Sequence, residues 1–579
     1  MIATIHEDKT ISVQAANYRL TVAVDRPFVT LADAAGVKIA DLFYPSSVHS
    51  TRGQDDTTRL GRWQIDELAD AVSLSIKAES SVWTSKTFRF FCEESRLRYE
   101  IEVEGSGGIT EVVYFGGHYS GAIRWGSGFF WSGQRFKQCF NPEPTHDEIY
   151  TFSPREGSVI DLCGVPLPGR GDWFYTPPPF CFAAEVESGW IGLGLEAPDG
   201  QHGYTSFAFR GQGQSGFCLT ADFNGQTVVD DRRRKPFVLP AIGIDFADDP
   251  YAVLRRHSDA FAARYHPRPQ ATPKPGWWFE PIFCGWGSQC HLAALDKGHA
   301  PDYARQAHYE AFMRTLDAHR IDPGIVVLDD KWQAHYGTNA VDTERWPDLR
   351  GFIDGQHARG RHVLLWLKAW DPDGVPVEEC ITNAAGVPLA VDPTHPQYAR
   401  RLRASVRHML SPDGYNADGF KIDFTARIPA APGARVAERI WGLELMRRYL
   451  WIIHDEAKKV KPDALVMTHT PHPYLADVTD MIRLNDVNTG QDVIRTMTHR
   501  AQVARAALPD CVIDTDNWPM TDRESWRAYV QHQPDLGVPS LYVVSHIDTT
   551  GEPLEESDYA LIRDSWARFK HKRDTGTLF

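Results

Sequence analysis

The chain has no long apolar run: nowhere in its 579 residues is there a stretch near the roughly 18 consecutive apolar positions that a membrane-spanning helix needs. Positive charge is also scarce. Lys and Arg number 61 against 76 Asp and Glu, for a formal net charge of −15. That balance argues against nucleic acid, whose phosphates demand clustered basic side chains, and against an anionic membrane surface. No CxxC pair occurs, and the 9 cysteines are scattered from Cys92 to Cys511. The nearest pair, Cys284 and Cys290, has no matching second pair for zinc, and the spacing does not suit a disulfide scaffold. Reduced thiols are therefore expected, and with them a cytoplasmic location. The opening MIATIHEDKT is acidic and carries no apolar core, unlike a signal peptide. Internal repeats and low-complexity segments are missing too. No G-x-G-x-x-G follows the first strand of the second half, so a dinucleotide site is disfavoured, and no cofactor or metal is expected.

What is present is apolar and aromatic. Hydrophobic residues make up 42% and aromatics 12%, with Trp at 18 copies. These suit large cores, and flat aromatic faces also suit the apolar C–H faces of pyranose rings. The length calls for two or three domains. Up to residue 265 the pattern is short alternating runs such as YRLTVAVD, AVSLSIKAE, LRYEIEVEG and GWIGLGLEA, separated by Gly, Pro, Asp and Asn. Period-2 alternation between turns predicts an antiparallel β-sandwich. DPYAVLRRHSDAFAARY reads as a connecting helix, and the prolines of HPRPQATPKPG mark a linker ending near Gly276.

Over residues 276–579 the pattern becomes strand, loop, helix, repeated. The strand candidates are FEPIFCGWG, GIVVLDD, HVLLWLKAW, ADGFKIDF, ALVMTHT, TDMIRLND, CVIDTDN and SLYVVSH. Amphipathic segments separate them, with only a short, poorly marked one between the fifth and sixth. Apolar runs alternating with helices predict a parallel sheet buried on both faces, and this number of units points to a (β/α)8 TIM-type barrel. An open doubly wound sheet is the second choice.

Barrel enzymes carry their chemistry at the C-terminal strand ends. Those ends hold Asp329-Asp330-Lys331-Trp332, Trp366 to Trp370, Lys421-Ile422-Asp423, Arg483-Leu484-Asn485-Asp486, Asp514 to Trp518, and His546 with Asp548. A single Asp in a βα loop is commonly a helix cap. Asp423 is less easily explained that way, because Lys421 lies two residues earlier on the same face of the strand and helps keep it ionised. Carboxylates across a pocket suit glycosidic bond cleavage, one attacking the anomeric carbon and one donating to the leaving oxygen.

These residues resemble a known family. LDDKWQ is similar to the LDDGW-type motif of glycoside hydrolase family 36, the α-galactosidases and raffinose-synthase-like proteins. ADGFKIDF resembles that family's DG-x-K-x-D motif, and RLNDV resembles the acid/base motif of families 36 and 27. The resemblance spans roughly Gly324 to Gly551. It implies a retaining, exo-acting α-glycoside hydrolase with Asp423 as nucleophile and Asp486 as acid/base. It also implies that Asp329 and Asp330 bind hydroxyls remote from the anomeric carbon, that Lys421 and Arg483 contact other hydroxyls, and that Trp366 lines the sugar subsite. Trp286, at the end of the first strand, is expected there as well. DTDNW around Asp516 looks like the acid/base motif of family 31, in the same clan. Counting strands favours Asp486, on the sixth, and leaves Asp516 a substrate-binding or supporting residue. Lys331 stands where the family has Gly, and Asn485 where Ser, Asp or Gly is common, which opens the identity of the sugar. A transglycosylase, an α-glucosidase or α-xylosidase of the same clan, and an inactive sugar-binding protein are the alternatives. The C-terminal β-domain common to these families is missing, so a homo-oligomer covering that barrel face is also expected.

Two motifs remain. Thr468-His469-Thr470-Pro471-His472 places two His three apart, without the third ligand a metal needs. The aromatic run Trp125 to Pro142 reads as sandwich core or as a loop reaching over the barrel mouth.

Overall fold

A computed structural model describes residues 2–121, 127–128, 130–131, 136–142, 149–151, 157–162, 177–211, 216–230, 235–268, 273–430, 433–487, 490 and 492–578. Most of the aromatic run from Trp125 and residues 269–272 of the proline-rich linker lie outside them. In the first half, the described strands form an 11-stranded and a 10-stranded antiparallel sheet. Alternation does what period 2 requires. Strand Ser85–Glu93 buries Phe88, Phe90 and Cys92 and leaves Arg89, Phe91 and Glu93 half-buried, in register with Leu97–Glu104 through Phe90↔Tyr99 and Phe88↔Ile101. Helix α1 (Pro250–Arg264) follows, with Asp249 accepting from the backbone N–H of Tyr251 and Ala252 and Pro250 at the first turn.

The second half is an 8-stranded parallel sheet. Its strands are β1 (Ile282–Cys284), β2 (Ile325–Leu328), β3 (His362–Lys368), β4 (Gly419–Asp423), β5 (Leu465–Thr468), β6 (Met481–Arg483), β7 (Val512–Asp514) and β8 (Ser540–Leu541). β1 pairs with both β2 and β8. The seam between β7 and β8 closes through an Asp514↔Val538 bridge and the Val538 N–H to the Ile513 carbonyl at 2.7 Å. All eight strand candidates lie on this sheet, which makes it a nearly closed barrel rather than an open doubly wound sheet. The surrounding helices are α2 (Trp286–Asp296), α3 (Gln306–Ala318), α4 (Leu349–His357), α5 (Pro396–Leu410), α6 (Gly442–Val460), α7 (Val493–Ala507), α8 (Arg523–Leu536) and α9 (Glu556–Asp574). Between β5 and β6 there is only a 3-10 turn, Pro473–Leu475. Helix α2 was not expected. It begins at Trp286, so that residue opens a helix instead of closing a strand. No described helix is long and apolar enough to cross a membrane.

The halves pack through α1, α6, α7 and the 3-10 turn. His202 stacks on Tyr474 with ring centroids 3.9 Å apart, the Tyr251 hydroxyl meets His499 Nδ1 at 2.8 Å, and Phe140 packs edge-on against the same histidine at 5.8 Å. The C-terminal end of the aromatic run is thus a packing element.

Candidate active site

The C-terminal strand ends converge around Arg483, which closes β6. Its guanidinium donates from Nη2 to Asp423 at 3.1 Å, and from Nη1 to Asp486 at 2.9 Å and to Asp516 at 2.6 Å. β4, β6 and β7 thus each deliver a carboxylate to one cation. Left-handed backbone turns the chain at these ends: Trp370, Phe424, Asn485 and Asp516 have φ of 69°, 58°, 66° and 54°. Each costs about 1 kcal/mol or more for a residue with a side chain, and such strain collects where a site must be held.

The three carboxylates differ. Burial would raise Asp423, but Arg483, then His469 and Lys421, outweigh it and hold the group at about 2. The indole N–H of Trp366 donates to its Oδ2 at 3.2 Å and the Phe424 N–H to Oδ1 at 2.9 Å. Asp486 moves the other way. Burial, with Asp516 and Asp423 nearby, pushes it up to about 7 against the pull of Arg483. Their side chains are 13% and 22% exposed, so both are reachable. Asp516 is 0% exposed. Its Oδ2 takes Arg483 and the Tyr542 hydroxyl, and its Oδ1 takes the N–H groups of Asn517 and Trp518, which fills a carboxylate's acceptor sites.

A second ion pair lies deeper. Lys421 Nζ donates to Asp329 Oδ2 at 2.7 Å, where the Cys284 thiol also donates at 3.0 Å. Burial would lower the ammonium, but Asp329 and Cys284 keep it above its ordinary value. Asp330 is pushed up to about 7 by burial and by the carboxylates of Asp329 and Asp423. It accepts the Tyr336 hydroxyl at 2.7 Å. The Tyr336 ring lies 4.2 Å from Lys331 Nζ and 4.0 Å from Lys368 Nζ.

The structure therefore brings Asp423, Asp486, Asp516 and Arg483 into one cluster, with Asp330, Lys421 and Asp329 beside it. Trp366 is 1% exposed and meets Asp423 through its indole nitrogen, so no ring face is open. Trp286 is half-buried and stands edge-on to Trp518 at 5.8 Å. Trp518 is tied to the segment after Asp486 by the Val487 N–H, at 3.4 Å. Tyr542, Tyr336 and Cys284 were missed by sequence reasoning. Tyr542 follows the apolar eighth strand and was findable as a polar aromatic at a strand end; Tyr336 has no local signal.

The two histidines diverge. His469 Nε2 approaches Asp423 at 3.6 Å. His472 is turned toward Phe180 at 5.4 Å, and burial lowers it well below the usual range. Among the described residues no group of three or more His, Cys, Asp or Glu is arranged to hold a metal ion.

No family profile and no curated protein matches the chain. Solved structures do. A family 31 sulfoquinovosidase from E. rectale, in complex with an aza-sugar inhibitor, is 13% identical, with a TM-score of 0.62, over 100% of this chain and 84% of that one. The chain has the fold of the family 31 and family 36 glycoside hydrolases. A family 36 α-galactosidase from Geobacillus stearothermophilus is 12% identical over 99% of this chain and 86% of that one, at a TM-score of 0.56. A family 31 α-xylosidase from a soil metagenome, complexed with xylose, is 10% identical over 99% and 85%, at 0.55. This fold places all the strand ends described above at one mouth.

Proposed function

We propose that the protein is a retaining α-glycoside hydrolase in which Asp423 attacks the anomeric carbon and Asp486 is the acid/base. The observation that carries this reading is the opposite displacement of the two carboxyl groups around Arg483, Asp423 to about 2 and Asp486 to about 7. Carboxyl pairs pushed apart in this way divide into an ionised and a protonated partner. The first step forms the bond from Asp423 to the anomeric carbon as the bond to the leaving oxygen breaks, and that oxygen takes the Asp486 proton. In the second step a water gives its proton back to Asp486 while its oxygen displaces Asp423. Asp516, buried and fully bonded, serves as counter-ion to Arg483, and Lys421 and Asp329 support the floor. Asp330, Tyr336 and Lys331 face the hydroxyls remote from the reacting carbon.

The test is a set of aryl α-glycosides differing only in the sugar, with the first-formed anomer read by NMR. We expect one sugar to be cleaved with retention, and Asp423→Ala to abolish it. An inverted first product, or an Asp423→Ala protein of unchanged activity, overturns the reading. Adding a sugar acceptor and analysing products separates hydrolysis from glycosyl transfer.

A further inference from the structure

Arg500 lies on α7, outside the carboxylate cluster, and is fully buried. Its Nη1 donates to three consecutive backbone carbonyls, Leu484 at 2.6 Å, Asn485 at 2.7 Å and Asp486 at 2.8 Å. In an extended strand successive carbonyls point to opposite sides and cannot meet at one donor. They meet here because Asn485 is left-handed, at φ 66°. Asparagine often holds that conformation by bonding its own neighbouring backbone. Asn485 does not: its amide is fully buried, and among the described residues neither Nδ2 nor Oδ1 has a partner. The bonds that hold the turn come from outside it, from Arg500. The same turn folds Asp486 back onto Arg483, three residues earlier, at 2.9 Å.

We propose that Arg500 is the positioning residue of the acid/base: by clamping the carbonyls of 484–486 it aims the Asp486 carboxyl at the leaving group without touching substrate. This rests on the reading of Asp486 as the acid. Losing the clamp displaces the proton donor and leaves the nucleophile where it is. The loss then depends on how much the leaving group needs a proton.

The experiment compares Arg500→Met and Arg500→Lys on two α-glycosides of the sugar the wild-type protein cleaves. The dinitrophenyl glycoside departs unassisted and the methyl glycoside needs protonation. Folding is followed by circular dichroism. We expect Arg500→Met to lose kcat/KM, which reads the first step and not the base-assisted second one, by roughly 10- to 100-fold more on the methyl glycoside than on the dinitrophenyl glycoside, part of the roughly 100- to 10,000-fold that general acid catalysis supplies. Arg500→Lys, which keeps a cation, shows the same bias more weakly. If Arg500→Met does not fold, Arg500→Lys alone decides. Equal losses on the two substrates, or no loss, in the variant that folds overturn the inference. Asp486→Ala is the reference. If it shows no leaving-group dependence, the acid assignment itself has failed; if it does and the Arg500 variants do not, only the clamp has.

Discussion

Arg483 faces three carboxylates, and one positive charge cannot balance three negative ones in a buried site. Lys421 is committed to Asp329, so one member of the trio does best to keep its proton. Asp516 is already filled by four hydrogen bonds, and Asp423 has Arg483, His469 and Lys421 around it. Among the described residues Asp486 has the fewest supporting partners of the three, and it is the one raised. On the proposed roles, activity requires Asp423 ionised and Asp486 protonated. The pH profile should therefore hold from above about 2 and fall as pH rises through about 7. Asp330 titrates in the same upper range, so the profile of Asp330→Asn is the control: its alkaline limb stays if Asp486 is the source and disappears if Asp330 is. Trp366→Phe keeps a buried aromatic ring but removes the 3.2 Å bond to Asp423. A hydrogen bond to a charged group contributes roughly 1.5–3 kcal/mol, so kcat should fall by about tenfold or more with the acid limb shifted upward. Steady-state kinetics across pH checks both.

At the level of elements, the barrel strands are short and tightly paired, and one glycine marks how closely. A Cβ on Gly419, the first residue of β4, would lie 2.1 Å from the Leu465 carbonyl oxygen of β5. Gly419→Ala must push the two strands apart just below Asp423. We expect a loss of about 1–3 kcal/mol, seen as a lower urea midpoint, and reduced activity because the strand end carries the proposed nucleophile. The strands were legible because apolar runs separated by amphipathic segments are local patterns. Helix α2 was not, because WGSQCHLAALD has a weak polar face and begins with an αR glycine at its cap. The hairpins Gln333–His335 with Ala340–Val341 and Cys380–Thr382 with Pro388–Val391 were also missed; runs of two to four residues are too short for periodicity to register.

Across the whole molecule, the first half bears on the barrel at the helices that flank the site. Gly442, at the start of α6, has φ +60°, and a Cβ there would lie 2.3 Å from the Tyr204 carbonyl oxygen. Glu444, two residues on, accepts from the His202 N–H at 3.3 Å and the Tyr474 hydroxyl at 2.8 Å. Gly442→Ala should therefore loosen the contact between halves and lower the thermal midpoint, while α9, on the far side, keeps its bonds; hydrogen exchange resolved by segment checks this. Helix α7 joins the two scales, since His499 meets Tyr251 and the next residue, Arg500, meets the Asp486 loop.

The sequence by itself determined the two kinds of fold and the chemical types at the strand ends, because alternation, helical period and turn residues are properties of neighbouring positions. Only the tertiary structure decided which of those groups meet and how each is buried and charged. Arg483 and Asp423 are 60 residues apart, and Lys421 and Asp329 are 92 apart. A carboxyl's protonation depends on burial and on charges within roughly 4–6 Å, a radius that no local pattern describes. That is why Asp516, conspicuous in the sequence, is fully buried against Arg483, while Asp486 carries the raised carboxyl.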